Sequence, residues 1–488
     1  MFIGLDLGTS ALKALLVDED ERVVGTASVP LTVLRPRPGW SEQDPQDWRE
    51  AALAALDGLA SRHPAEIAAV RGIGLSGQMH GAVLLDGAAN VLRPCILWND
   101  TRAGVECREL EEAVPELGAL AGNLATPGFT APKLIWVRKH EPAIFARIAT
   151  VLLPKAWLRL CLTGDLVEEM SDASGTLWLD VGARAWSERL LRATGLPLSA
   201  MPRLVEGTAP AGRLRPELAA RWGMLAPPVF AGGASDNAAG ALGLGAIVPG
   251  SAFVSLGTSG VLWATTEAFR PHPAGAVHAF CHALPGLWHQ MGVTLSAAAS
   301  LAWWAGITGR SEADLLAEIN PSIDGPSEAL FLPYLSGERT PHNDGALRGV
   351  FARLSLRTDR AALTQAILEG VAFSIRDCVD ALADAGTIIR QADAIGGGSR
   401  SGIWLTILAA VLGIPLHRTS TGEHGAVLGA ARVGRLAATG EAPEIVCTAP
   451  DRVQTFQPDP GLTERYRYEF QAYRELARSA RHIASAQF

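Results

Sequence analysis

No CxxC pair occurs in the chain, and its six cysteines (Cys95, Cys107, Cys161, Cys281, Cys378 and Cys447) stand scattered. That pattern argues against a disulfide-stapled scaffold and suits a reducing compartment. Positive charge is also short: 42 Lys and Arg face 50 Asp and Glu, leaving a net charge of −8. The balance argues against nucleic acid or an anionic membrane as the main partner. The stretch Asn237 to Thr266, free of Asp, Glu, Lys, Arg and His, is broken by Gly, Pro, Ser and Thr, which makes it a poor membrane span. No basic n-region precedes the first strand-like run, "MFIGLDLGTS", so the expected location is cytoplasmic. No GKS or GKT follows a glycine loop, so a Walker A loop is not present, and the glycine-rich stretch "AIGGGSRSGIW" does not fit the dinucleotide fingerprint GxGxxG.

What is there suits a large globular protein. With 488 residues, 48% of them hydrophobic and 19% charged, the chain can fill two substantial domains, and disorder by composition does not fit. The first forty residues read as three antiparallel strands, followed by a helix over "DPQDWREAALAALDGLASRH" and strands at "VRGIGLSG" and "GAVLLD". Residues from about 105 to 225 read mostly as helices, among them "PKLIWVRKH" and "PKAWLRLCLTG", each with Pro at a start position. A strand in "APPVFAGG" leads into "ASDNAAGALGLG". Then the pattern restarts: LDLGTSALKALL near the beginning is answered by VSLGTSGVLWAT, a weak long-period repeat that places a domain boundary near residue 245. The last helix, "LTERYRYEFQAYRELARSARHIA", is amphipathic and is expected to pack on the body of the protein.

Three glycine stretches carry chemistry. "DLGTS" (Asp6 to Ser10) and "SLGTSG" (Ser255 to Gly260) each let a strand deliver a glycine, backbone N–H groups and Thr and Ser hydroxyls. Such a nest suits phosphate oxygens, and two can grip one polyphosphate across a cleft; singly, each is equally a hairpin turn. The third, "AIGGGSRSGIW", bares backbone to which a base and ribose can come close, or is a tight strand-to-helix turn. Asp236 is a lone acid in "VFAGGASDNAAGALGLG", placed either to work on a substrate or to cap the helix that follows.

The ordered strings "GLDLGTSALK", "GWSEQDPQDW", "GLSGQMHGAVLLD", "LRPCILWNDTRA", "MSDASGTLWLD", "DNAAGALGLG", "SLGTSG", "FLPYLSGERTPHND" and "IGGGSRSG" cover residues 1 to about 435. Together they resemble the FGGY carbohydrate kinases of the actin-like ATPase superfamily, and "GQMHG" with "SGERTPH" narrows the resemblance to their xylulokinase branch. The resemblance implies an α/β fold of two ribonuclease-H-like domains with an interdomain cleft. Residues 1–245 would bind sugar and carry the first phosphate loop; residues 246–488 would carry the second loop and bind adenosine. The implied reaction is transfer from ATP, with Mg2+, to D-xylulose. Its alternatives are another pentulose such as ribulose and, more remotely, a non-catalytic nucleotide switch, which has no use for Asp236 or for "QMHG".

Carried over residue by residue, the resemblance makes Asp236 the general base, with the Gly and Ala around it letting substrate approach, and sets Asp6 near the magnesium, through water, and the γ-phosphate. Thr9, Ser10, Lys13, Thr258 and Ser259 become phosphate contacts, and Gly397 and Gly398 border adenosine. Gln78, Met79, His80 and Asn237 become sugar contacts; Met79 would give an apolar floor, and Asn237 would bind a further hydroxyl. Trp98, Asn99, Asp100 and Arg102 shape the same pocket. Ser235 stands where many relatives have glycine, so the backbone before Asp236 is expected to differ slightly. His278, Cys281 and His282 stand close together as zinc ligands do, but no second cluster completes a site. A homodimer is a further implication of the family.

Overall fold

The computed structural model describes residues 1–420 and 425–485, with side chains through residue 482. The first half is built on a seven-stranded sheet. Strands β1 (Phe2–Leu7), β2 (Ala11–Val17) and β3 (Val23–Pro30) form an antiparallel meander. Helix α1 (Pro45–Arg62) starts at Asp44, whose carboxylate accepts from Gln46 N, and it buries Trp48, Ala52, Leu56 and Leu59 against one face. Strand β4 (Gly72–Gly77) pairs parallel with β1. Helices α2 (Thr130–His140) and α3 (Pro154–Thr163) follow. The edge strand β5 (Pro210–Arg213) runs antiparallel to β6 (Val229–Ala231); β6 and the short β7 (Ala234–Ser235) both pair parallel with β4.

Helix α4 (Asp236–Gly243) leaves β7 directly and leads to the second half. There β8 (Ala252–Leu256), β9 (Gly260–Thr266), β10 (His278–Cys281) and β11 (Trp288–Thr294) are antiparallel neighbours in the order β10-β11-β9-β8. After the long helix α5 (Arg360–Asp384), β12 (Ala392–Ile395) adds parallel to β8. Helix α6 (Gly402–Leu412), β13 (Leu416–Thr419), helix α7 (Gly425–Thr439), β14 (Arg452–Phe456) and helix α8 (Pro460–Ser485) complete the chain. The weak sequence repeat is a match of pairings. The runs β3-β2-β1-β4-β6 and β11-β9-β8-β12-β13 are both antiparallel, antiparallel, parallel, parallel. The expected pair of ribonuclease-H-like α/β halves is present. No described helix is long and apolar enough to cross a membrane.

Two features depart from the sequence reading. The stretch from 105 to 225 also holds short strands at Thr150–Leu152, Val167–Glu169, Leu179–Asp180, Ala185–Trp186 and Arg203–Val205, besides β5. At two or three residues each, they leave no alternation to read. The second departure concerns the small residues of α4, which the sequence reading assigns to substrate approach. Ala238, Ala239 and Ala241 are fully buried, and they serve helix packing instead. A Cβ on Gly429 of α7 would collide with the Ala239 carbonyl, so glycine lets α7 lie backbone to backbone on α4. Helix α7 belongs to the second half in sequence yet covers β1 and β4 of the first sheet, where a Cβ on Gly74 would collide with Ala430 O.

Candidate active site

The turn between β1 and β2 is fixed by side chains from three segments. Trp98 Nε1 donates to Thr9 Oγ1 at 3.0 Å, and that hydroxyl donates to Gln78 Oε1 at 3.1 Å. Gln78 Nε2 donates to Gln43 Oε1 at 2.9 Å, and Gln43 Nε2 closes the ring on the Thr9 carbonyl at 2.8 Å. Gln78 is buried inside this ring, holding the loop and Trp98 rather than lining a cavity. Ser10 is exposed at the turn, and Lys13 faces Asp6 in the β1–β2 register. Asp6 accepts from Ser76 Oγ of β4. Burial pushes its carboxyl above the usual carboxylate range, while Ser76 and the Lys13 charge pull it back.

Asp236 is the first residue of α4; Ser235 holds the N-cap position, with φ −60° and ψ 157° and no side-chain cap. The capping alternative therefore fails for Asp236, whose Oδ1 accepts instead from Asn237 N at 2.7 Å and Asn237 Nδ2 at 3.0 Å. Burial pushes its carboxyl up to about 6; the Asn237 bonds lower it and the Asp6 charge raises it further. The strand before it is braced from behind. Ser235 N donates to Ser171 Oγ at 2.9 Å, Ser171 Oγ donates to Glu169 Oε1 at 2.8 Å, and Lys155 Nζ lies 3.2 Å from that same oxygen. Lys155 also meets Glu168 at 3.2 Å and Asp172 at 3.3 Å, and all four side chains are fully buried or within a percent of it. Burial lowers the Lys155 ammonium, but its three carboxylates more than offset that, and burial holds Asp172 well above the carboxylate range. These three acids are the one candidate metal cluster among the described residues, and Lys155 already sits against all of them. The exchange of glycine for Ser235 costs no strain, since its backbone angles are ordinary for any residue.

A cavity of about 480 Å³ opens between the halves, with Asp236 and Asn237 in its wall. From the first half it is lined by Met79, His80, Trp98, Asn99, Asp100 and Phe129. His80 has φ +70°, and its strained backbone is held by Lys133 Nζ, which donates to His80 O at 2.8 Å and to Gly128 O at 2.7 Å. Its ring packs on Phe129 at 4.5 Å, and Nδ1 meets Gly175 O at 2.7 Å. A carbonyl only accepts, so Nδ1 carries the proton; burial pushes His80 down to about 3, and the neutral ring keeps Nε2 as an acceptor. Asp100 lines the cavity but is clamped by Arg102, whose Nε and Nη2 lie 2.9 and 2.7 Å from its carboxylate oxygens. Arg102 itself lies outside the cavity, over the Trp40 ring at 3.6 Å.

From the second half come Ser259, His278, Phe280 and Arg339. His278 Nδ1 meets Asn123 Oδ1 at 2.7 Å, and burial pushes this ring down to about 3 as well. His278 is thus a cavity residue, while Cys281 Sγ turns to Val181 O and His282 Nδ1 accepts from Leu284 N at 3.1 Å. Thr258 and Ser259 are exposed in the β8–β9 turn, whose Gly257 O and Thr258 O accept from the first residues of the helix Ala298–Thr308. The "GGGS" turn lies against this hairpin: Gly398 sits on Leu256, whereas Gly397 has no protein atom within 4 Å of where a Cβ would be. The second glycine-threonine-serine turn thus reaches the cavity through Ser259, and the first bonds to Trp98 of its wall.

The domain descriptions of one family cover this arrangement: its N-terminal domain matches residues 1–243 and its C-terminal domain residues 252–438. The chain belongs to the FGGY family of carbohydrate kinases. It is 48% identical over 442 residues to the xylulose kinase of Escherichia coli K12, covering 90% of this chain and 91% of that one. The crystal structure of a xyloylose kinase from Brucella ovis superposes with a TM-score of 0.97 at 54% identity, over 99% of both chains. A xylulose kinase from Rhodospirillum rubrum gives 0.91 at 30% identity, again over 99% of both. Membership in this kinase family implies use of ATP.

Within the FGGY kinase, several cavity residues escaped the sequence reading. Phe129, Phe280, His278 and Arg339 come together from segments far apart in the chain. Lys133, in the helix expected at "PKLIWVRKH", is fully buried, and burial pushes its ammonium down to about 7. The available signals were "GFT" just before that lysine and the Arg of "SGERTPH", a string quoted for its likeness alone.

Proposed function

We propose that this FGGY kinase transfers the γ-phosphoryl group of ATP to the C5 hydroxyl of D-xylulose, with Asp236 as general base. The observation that carries the reading is Asp236 itself: a partly buried carboxylate, pushed up to about 6, in the wall of the cavity between the halves, where Ser259 of the second turn also lies and the charge of Asp6 is felt. A base poised there takes the hydroxyl proton as that oxygen meets the phosphorus. The names of the relatives from Escherichia coli, Brucella ovis and Rhodospirillum rubrum support D-xylulose as the acceptor.

On this reading Met79, His80, Asn237, Asn99 and Trp98 hold the sugar, and Gln78 acts through Thr9 and Trp98. Thr9, Ser10, Thr258 and Ser259 hold phosphate oxygens, with Lys13 adding charge. The open space at Gly397 supports adenosine there, since no described protein atom requires a glycine at that position. The donor set fits magnesium: Asp6 offers a partly buried carboxylate oxygen whose charge Ser76 and Lys13 only partly compensate. When bound, the ion would supply neutralisation of phosphate charge beside Asp6. The assignment of residues 1–245 to sugar and the first loop, and of 246–488 to the second loop and adenosine, belongs to the same proposal, as does a cytoplasmic homodimer.

ADP release with magnesium and ATP, measured against D-xylulose, D-ribulose, L-ribulose, glycerol and no sugar, tests it. D-xylulose is expected to give the highest kcat/KM, and Asp236→Ala to lose roughly 10²–10⁴-fold. A higher kcat/KM with another sugar would overturn the substrate, and a near-normal Asp236→Ala would overturn the base.

A further inference from the structure

An acceptor of this kind reaches the site in one form only. A ketopentose phosphorylated at C5 cannot be cyclic, because its furanose ring closes through that same oxygen. On the acceptor reading above, the bound sugar is an open chain with a free carbonyl at C2. That oxygen only accepts hydrogen bonds, whereas each hydroxyl both donates and accepts.

The cavity is furnished unevenly for such a molecule. Asp236, the Nε2 atoms of neutral His80 and His278, and Asn99 Oδ1, which is buried without a partner, all offer acceptors to hydroxyl protons. Arg339 is the one cationic side chain lining the cavity among the described residues. Its Nη1 donates to Asn343 Oδ1 at 3.0 Å, and no described protein group accepts from Nε or Nη2. Among the described residues no carboxylate pairs with its guanidinium. The adjacent Glu338 instead accepts from Arg339 N at 2.8 Å, Leu295 N at 2.9 Å and Thr294 Oγ1 at 2.7 Å, which fixes the backbone beneath the arginine. A half-buried cation held in place without a counter-charge is prepared for a ligand oxygen.

We propose that Arg339 donates to the C2 carbonyl oxygen of an open-chain ketose and so makes the site select a ketose over the alditol of the same skeleton. The C2 hydroxyl of an alditol can also accept from Arg339, but it brings a proton that the guanidinium, a donor-only group, cannot accept.

The test is kcat/KM for D-xylulose against xylitol and D-arabitol, the two alditols formed by reducing that carbonyl, in wild type, Arg339→Gln and Arg339→Lys. Thermal melts accompany each variant. The ketose-over-alditol ratio is expected to fall roughly 10- to 100-fold in Arg339→Gln, through D-xylulose alone, and less in Arg339→Lys. Proportional losses for all three acceptors, or a change confined to the KM for ATP, would overturn the proposal. If Arg339→Gln does not fold, Arg339→Lys carries the measurement, because an ammonium cannot reproduce the planar fork. Should wild type prefer D-ribulose, the acceptor reading falls, and Arg339 is judged by the same ratio for D-ribulose against ribitol.

Discussion

At Asp236 the competing effects can be ordered. Burial raises its carboxyl, two bonds from Asn237 lower it, and Asp6 raises it again, leaving it at about 6. In the proposed role of general base, Asp236 works only when deprotonated. Below that value kcat/KM for sugar should therefore fall about tenfold per pH unit, and above it should level off. A kcat/KM profile at saturating ATP checks this: a limb near 6 is expected, and one near 4 would mean a solvated carboxylate. Asp6, Asp236 and the two turns were legible in the sequence, because each lies in a short contiguous string with a chemical reason for its composition. Gln78 was legible as important but not in its manner, since a hydrogen-bond ring through Gln43 and Thr9 leaves no trace in local sequence. His278 and Arg339 were not legible as cavity residues, because only the docking of the halves brings them to His80.

Among elements, the contact between α4 and α7 decides where Asp236 sits. Ala substitution at Gly429 forces the two backbones apart and should destabilise the protein by roughly 1–3 kcal/mol while lowering kcat. Gly240→Ala is the control, since its Cβ meets nothing within 4 Å; it should melt at or above wild type. Equal melting temperatures for the two variants would show slack between the helices. The hairpins and the helix over Pro45–Arg62 were readable from alternation, spacing and a capping Asp. The role of Gly and Ala in α4 was not: small residues look the same whether they face a ligand or another helix.

For the whole molecule, two halves meet at a cavity with Asp236 in its wall. A carboxylate able to activate a sugar hydroxyl can also activate water, so closing of the halves on sugar should exclude water from the phosphate. ATP hydrolysis without sugar should then run well below sugar phosphorylation, and the radius of gyration in solution should shrink when sugar and nucleotide bind together. Equal turnover with and without sugar would count against closure. The crossing of α7 onto the first sheet has another outcome, in the making of the protein rather than its action. A fragment of residues 1–245 would leave the ribosome with the glycine-floored face of β1 and β4 bare, its cover not yet synthesised. Made alone it should aggregate, and co-expression with residues 246–488 should return it to the soluble fraction as a split, active enzyme.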